Sequence, residues 1–168
     1  MGKIMQKVSK NTKDTEKIAQ DFLKHLMSKG TFDTACVVGL SGDLGTGKTT
    51  FTQFIAKNLG IKTKVKSPTF VIMKRYTLTP TLSRRERGHR YKNLFHIDAY
   101  RLKNEKELLH LGWEEIVSNP ENLIFIEWPE NIKKAMPKKY HKVFIKHLPR
   151  RSGTKAGTKE GHRKFRIK

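Results

Sequence analysis

Cysteine is nearly absent: Cys36 stands alone among 168 residues. One thiol excludes an internal disulfide and any cysteine-based zinc cluster. Its place inside an apolar run reads as a small buried side chain. Long apolar runs are missing too. None approaches the roughly 20 residues of a membrane-spanning helix, and the stretch Met1-Gly2-Lys3-Ile4-Met5-Gln6-Lys7 has no apolar signal core. The chain is therefore expected in the cytosol, with no membrane partner. Acidic residues are scarce, 15 against 36 lysines and arginines, for a net charge of +21. Such an excess favours contact with a polyanion such as nucleic acid, or it is a lysine-rich solvated surface. No RNA-reading motif accompanies it, and charge alone attracts any polyanion. The seven histidines show no zinc-ligand spacing. No Ser/His/Asp array stands out, and there are no internal repeats. Hydrophobic residues make up a lean 36%, enough for one core and one domain over residues 1–168.

What is present is a glycine-rich stretch, Gly42-Asp43-Leu44-Gly45-Thr46-Gly47-Lys48-Thr49, followed by Thr50. It fits the phosphate-loop pattern G-x-x-x-x-G-K-[S/T] at every fixed position. Glycines let the backbone turn with positive φ and approach a phosphate closely. Successive N–H groups then form an anion cradle at a helix N-terminus. Lys48 adds a mobile charge for the β- and γ-phosphates, and the Thr49 hydroxyl is placed to ligate Mg²⁺. The flanks agree. Thr34–Leu40 reads as a buried strand. Phe51, Phe54, Ile55 and Leu59 fall at helical spacing, closed by Gly60. A chance glycine-rich turn would not carry a strand before it and a helix after it. The fold class expected is α/β, a compact single-domain phosphate-loop fold with a central sheet flanked by helices.

In chain order, residues 1–13 are polar and read as only partly ordered. Asp14 or Thr15 is expected to cap a helix reaching about Ser28, with Ile18, Ala19, Phe22, Leu23, Leu26 and Met27 on one face and Gly30 ending it. After the loop and its helix, Pro68 biases Ser67 to an extended conformation. The hydroxyls of Ser67 and Thr69 flank it, as in a nucleotide-sensing loop or in an ordinary turn. Val71–Tyr76 reads as a strand. Residues 78–91 have no period and carry Arg84, Arg85, Arg87 and Arg90; they read as an inserted solvated hairpin tip. Asn93–Asp98 and Leu123–Glu127 are buried-strand patterns, each ending in an acid. A phosphate-loop enzyme needs one such acid for Mg²⁺ or its water, and here two compete. His96 reads as a core or site-wall residue. Asn104 and Glu107 form a capping box for a helix through Leu111. Trp128-Pro129 ends the third strand. Lys142–Ile145 and Arg163–Ile167 read as further strands. From Pro149 onward the tail has eight basic residues and one acid.

Four motifs now stand in order: G-D-L-G-T-G-K-T-T, S-P-T-F, H-I-D-A-Y-R-L and I-E-W-P. Together, from about Thr15 to Leu148, they resemble the bacterial TsaE (YjeE) family, the small ATPase of the tRNA threonylcarbamoyladenosine synthesis complex. The resemblance implies Mg²⁺-dependent ATP hydrolysis. It also implies partnership with the two sugar-kinase-like subunits that transfer threonylcarbamoyl to an adenosine of tRNA. In that family the ATPase does not perform the transfer; it supports repeated rounds by resetting the complex. By motif, Thr49 and Glu127 become Mg²⁺ ligands and Gly42 to Thr50 the phosphate cradle. Asp98 becomes the second essential acid, near the γ-phosphate. Ser67 and Thr69 become a switch-like loop, Trp128 a reporter on nucleotide, and Thr15 a border of the base. Phe70, where tyrosine is usual, and the insert at about 78–91 depart from the family pattern.

Two other classes remain. A small phosphate-loop kinase of a nucleoside or metabolite would carry an arginine-rich lid, which Arg84 to Arg90 imitate, yet no acceptor-binding motif accompanies them. A non-catalytic RNA-binding module would keep the pocket without turnover, whereas the ATPase would make only weak tRNA contact through its basic segments. A GTPase is disfavoured, because no N-K-x-D base-reading motif occurs.

Overall fold

The computed structural model describes residues 5–28, 33–78, 91–148 and 161–168. Seven strands form one mixed sheet: β1 (Met5–Ser9), β2 (Cys36–Ser41), β3 (Met73–Thr77), β4 (Asn93–Asp98), β5 (Asn122–Glu127), β6 (His141–His147) and β7 (Arg163–Ile167). Their order is β1-β7-β6-β2-β5-β4-β3. The inner strands β6, β2, β5 and β4 are mutually parallel. Parallel strands covered on both faces need apolar side chains at nearly every position, and β2, β4 and β5 are buried almost throughout. Antiparallel pairs extend the sheet on both sides, β3 on β4 at one edge and β7 with β1 beyond β6 at the other.

Side chains alternate between the two faces. One face carries Val38, Leu40, Leu123, Phe125, Val143 and Ile145 beneath two helices, α1 (Thr12–Ser28) and α2 (Lys48–Asn58). The other carries Val37, Phe95, Ile97, Ile124 and Ile126 beneath α3 (Glu105–Leu109), α4 (Trp113–Ser118) and a 3₁₀ turn at Pro129–Ile132. The expected α/β phosphate-loop-like fold with a helix-flanked sheet is therefore observed.

Several expectations are corrected. Within the polar stretch 1–13 the structure adds a strand that was not expected: Met5–Ser9 pairs with β7 as an edge strand, in register from Met5↔Ile167 to Ser9↔Arg163, and residues 1–4 lie outside the described residues. The first helix begins earlier than Asp14 or Thr15, because Asn11 supplies the cap: its Oδ1 accepts from the Asp14 N–H at 2.9 Å. The strand expected from Val71 begins at Met73, since Ile72 stands at φ 64°, a region a β-branched residue rarely enters. The Asn104 cap is present, accepting from the Lys106 N–H at 3.0 Å. Its helix stops at Leu109, and Gly112 at φ 77° turns the chain into the unexpected α4. Gly30, the insert over residues 79–90 and the tail over residues 149–160 lie outside the described residues.

Candidate active site

Parallel strands present their C-terminal ends on one edge of the sheet, and a crevice there is where such folds bind ligands. Strand β2 delivers Ser41 into the glycine-rich loop, which runs directly into α2. Gly42 is required by space as well as by its φ of 148°: a Cβ there would stand 2.2 Å from the Ile145 carbonyl oxygen. Gly47, at φ 99°, leads into the first turn of α2. The Thr46 hydroxyl donates to the Asp43 carbonyl at 2.8 Å, tightening the loop. Asp43, Leu44 and Gly45 form its exposed tip. Thr49 and Thr50, half-buried, occupy the first turn of α2.

Lys48 is 4% exposed. Its Nζ donates to the carbonyls of Gly42 at 2.7 Å and Asp43 at 3.0 Å, and it sits 4.0 Å from the Trp128 ring centroid. Burial pushes its pKa down, and the negative charges of Glu127, Asp98, Glu130 and Asp43 push it partly back. The ammonium is thus held inside the loop by carbonyl oxygens and an aromatic face.

The two acids end neighbouring strands in direct register, Asp98 opposite Glu127. Each is 4% exposed. The Thr49 hydroxyl donates to Glu127 Oε1 at 2.7 Å. His96 Nε2 lies 2.7 Å from the same oxygen, on a fully buried ring. A carboxylate has no proton to give, so Nε2 is the donor and fixes the tautomer. Asp98 is held differently. Its Oδ2 accepts from the Thr69 hydroxyl and from the Ser67 hydroxyl at 3.4 Å, and its Oδ1 accepts from the Tyr100 N–H at 3.0 Å. The S-P-T-F stretch is therefore tied to an acid of the site rather than forming a free turn. Beside that tie, Phe70 is 84% exposed and Val71 55%. Trp128 adopts φ 60°, which aims its ring across Lys48 and against Tyr100, the two ring centroids being 5.2 Å apart.

The donor set suits Mg²⁺. Thr49 Oγ1 and Glu127 Oε1 are hard oxygens 2.7 Å apart, close to the roughly 3 Å between neighbouring ligands of an octahedron with bonds near 2.1 Å. Two almost buried carboxylates side by side also repel, and a cation between them relieves that. Among the described residues no group of three His, Cys, Asp or Glu is arranged to hold a metal. Mg²⁺ needs no such cage, since it shares one or two protein oxygens with substrate phosphates.

The structure thus brings Lys48, Thr49, Glu127, Asp98, Ser67, Thr69 and Trp128 to one end of the sheet. Thr15 stands apart. It is 2% exposed, and its hydroxyl pairs with Ser9 Oγ at 2.7 Å. The hydrogen bond from His96 to Glu127 was missed as a functional contact. Its signal was the H-I-D spacing, which puts His96 and Asp98 on one face of a strand.

Comparison with known proteins bears on this geometry. The family model described as "Threonylcarbamoyl adenosine biosynthesis protein TsaE" matches residues 9–155. A Rickettsia typhi protein named tRNA threonylcarbamoyladenosine biosynthesis protein TsaE is 36% identical over 137 residues, 81% of this chain and 82% of that one. The Bacillus subtilis protein of the same name is 37% identical over 112 residues, 66% of this chain and 61% of that one. The crystal structure of Bacillus subtilis YdiB superposes with a TM-score of 0.68 at 26% identity, covering 99% of this chain and 86% of that one.

Proposed function

Because the chain belongs to the TsaE family of threonylcarbamoyl adenosine biosynthesis proteins, we propose that it is a Mg²⁺-dependent ATPase serving tRNA N6-threonylcarbamoyladenosine formation in the cytoplasm. It acts as the accessory subunit of two sugar-kinase-like partners. One observation carries this reading: Lys48, Thr49 and Glu127 meet at the glycine loop, with Asp98 alongside on the neighbouring strand. The loop N–H groups and the α2 N-terminus hold the β- and γ-phosphates. Lys48 exchanges its two carbonyl acceptors for phosphate oxygens. Thr49 and Glu127 would hold the metal, and His96 keeps the Glu127 carboxylate oriented. Mg²⁺, when bound with the nucleotide, neutralises charge on the phosphates. Asp98 Oδ1, with one hydrogen bond from Tyr100, retains a second acceptor position for the attacking water.

The loop carrying Ser67 and Thr69 reports the state of the site, because both hydroxyls end on Asp98. Loss of the γ-phosphate is thereby linked to a segment with an exposed phenylalanine, a route by which hydrolysis resets a partner. The test is reconstitution of tRNA modification with the two partner subunits. Repeated turnover should require this chain and fail with Lys48→Ala. Equal product with and without the chain would overturn the proposal.

A further inference from the structure

Strand β7 brings a cation to the phosphate loop that no motif announced. Arg163 opens β7, and its side chain lies along the loop: a Cβ on Gly47 would stand 3.4 Å from Arg163 Nε, 3.7 Å from Cδ and 3.9 Å from Cζ. Nε is buried and has no hydrogen-bond partner among the described residues. No carboxylate pairs with Arg163 among them either. An arginine that serves as packing buries its carbon stem and leaves its head in water. Here a nitrogen of the head is buried, and it lies beside Gly47, the residue just before α2. A buried donor without an acceptor is unfavourable, so the arrangement is poised for an acceptor that arrives.

The backbone fixes this placement. Arg163 is in register with Ser9 on one side and His147 on the other. Ser9 is itself buried and tied through its hydroxyl to Thr15 of α1 and to the Asn11 carbonyl. The antiparallel extension of the sheet thus holds the guanidinium against the loop from the side opposite Trp128 and the acids. A guanidinium offers five donors in a planar fork that matches phosphate oxygens.

We propose that Arg163 is a phosphate-binding residue of this site, closing the loop from the β7 side and donating to the phosphate chain of the bound nucleotide. The proposal rests on the reading that the loop holds ATP. It assigns the C-terminal strand a part in ligand binding in addition to its place in the sheet.

The test is calorimetric titration of the full chain with Mg-ATP and Mg-ADP, for wild type, Arg163→Gln and Arg163→Lys, with melting temperatures recorded free of nucleotide. Arg163→Gln should weaken binding roughly ten- to a hundredfold, the size of a lost charge-assisted contact, and leave the nucleotide-free melting temperature unchanged. Arg163→Lys, which keeps the charge without the fork, should fall between. Unchanged affinity in both variants would overturn the proposal. So would an equal loss in both accompanied by a lowered melting temperature, which would make Arg163 a packing strut. Absence of nucleotide binding by the wild type would instead remove the ATP reading on which the proposal stands, a result distinct from any difference among the variants.

Discussion

At the scale of single residues, Lys48 concentrates the physics of the site. Its head is buried in the glycine loop, and burial lowers its pKa from the ordinary 10.5. Bound phosphates add negative charge at the same place and raise it again. The sign follows. Below the lowered value Lys48 is already charged, and binding takes up no proton at this group. As pH rises through that value the free protein loses the proton that the complex keeps, so binding takes up a proton and ATP affinity falls. Titration calorimetry in two alkaline buffers of different ionisation enthalpy should show this uptake for wild type. Lys48→Ala should abolish it and weaken ATP binding roughly ten- to a hundredfold. Affinity independent of alkaline pH in wild type would count against the assignment. Glu127 is the other residue whose setting decides its use, since its Oε1 takes hydrogen bonds from both Thr49 and His96. The Thr49 bond ties the carboxylate to the first turn of α2, and the His96 bond ties it to β4.

At the scale of elements, α2 must seat firmly for the loop to keep its shape. Phe51 is its anchor, fully buried against Phe22, Phe125 and Phe165 at centroid distances of 5.9, 6.5 and 5.5 Å. Phe51→Ala should cost about 3–5 kcal/mol, read as a lower urea midpoint with the slope unchanged. A cost near zero would mean that α2 is held by its other contacts. The β3–β4 connection is expected to behave oppositely. Leu78 and Tyr91 are buried at its two ends, and the Leu78 N–H donates to the Lys92 carbonyl at 2.7 Å. Joining Leu78 to Tyr91 through Asn-Gly, in place of residues 79–90, leaves three residues between the paired Leu78 and Lys92, a length that hairpins commonly use. Melting temperature and nucleotide affinity should not change; a loss of several degrees would show that the deleted stretch packs on the core. Legibility in the sequence divides along the same line. β4, β5 and β7 were readable to within a residue, because buried strands and an alternating edge leave a pattern in the side chains. The phosphate loop was readable because its chemistry fixes residue types at fixed spacing. β1 was not, since Met-Gln-Lys-Val-Ser gains its order from pairing with β7, a contact between opposite ends of the chain. The same reason hid Arg163. The early stop of α3 was hidden by a turn at Gly112, whose positive φ no periodicity shows.

At the scale of the whole molecule, the chain carries a net charge of +21. Lysines and arginines on phosphates release counterions, so binding to RNA should weaken linearly in log–log form with salt. Base readout needs positioned side chains or stacking aromatics, and the basic segments offer little of either: from Pro149 onward the only aromatic is Phe165, which is fully buried. Fluorescence anisotropy across a salt series should therefore give weak binding, similar for tRNA and unrelated RNA, lost at moderate salt. Tight, salt-insensitive, tRNA-selective binding would instead make this chain an RNA-reading module. The central claim, that the site hydrolyses ATP, is tested most directly by phosphate release from Mg-ATP with no acceptor present. Wild type should release phosphate slowly and measurably. Glu127→Gln should need more Mg²⁺ to do so, and Asp98→Asn should bind Mg-ATP nearly as wild type yet release little. No release by a wild-type protein that binds Mg-ATP would contradict the account, as would release unaffected by either acid.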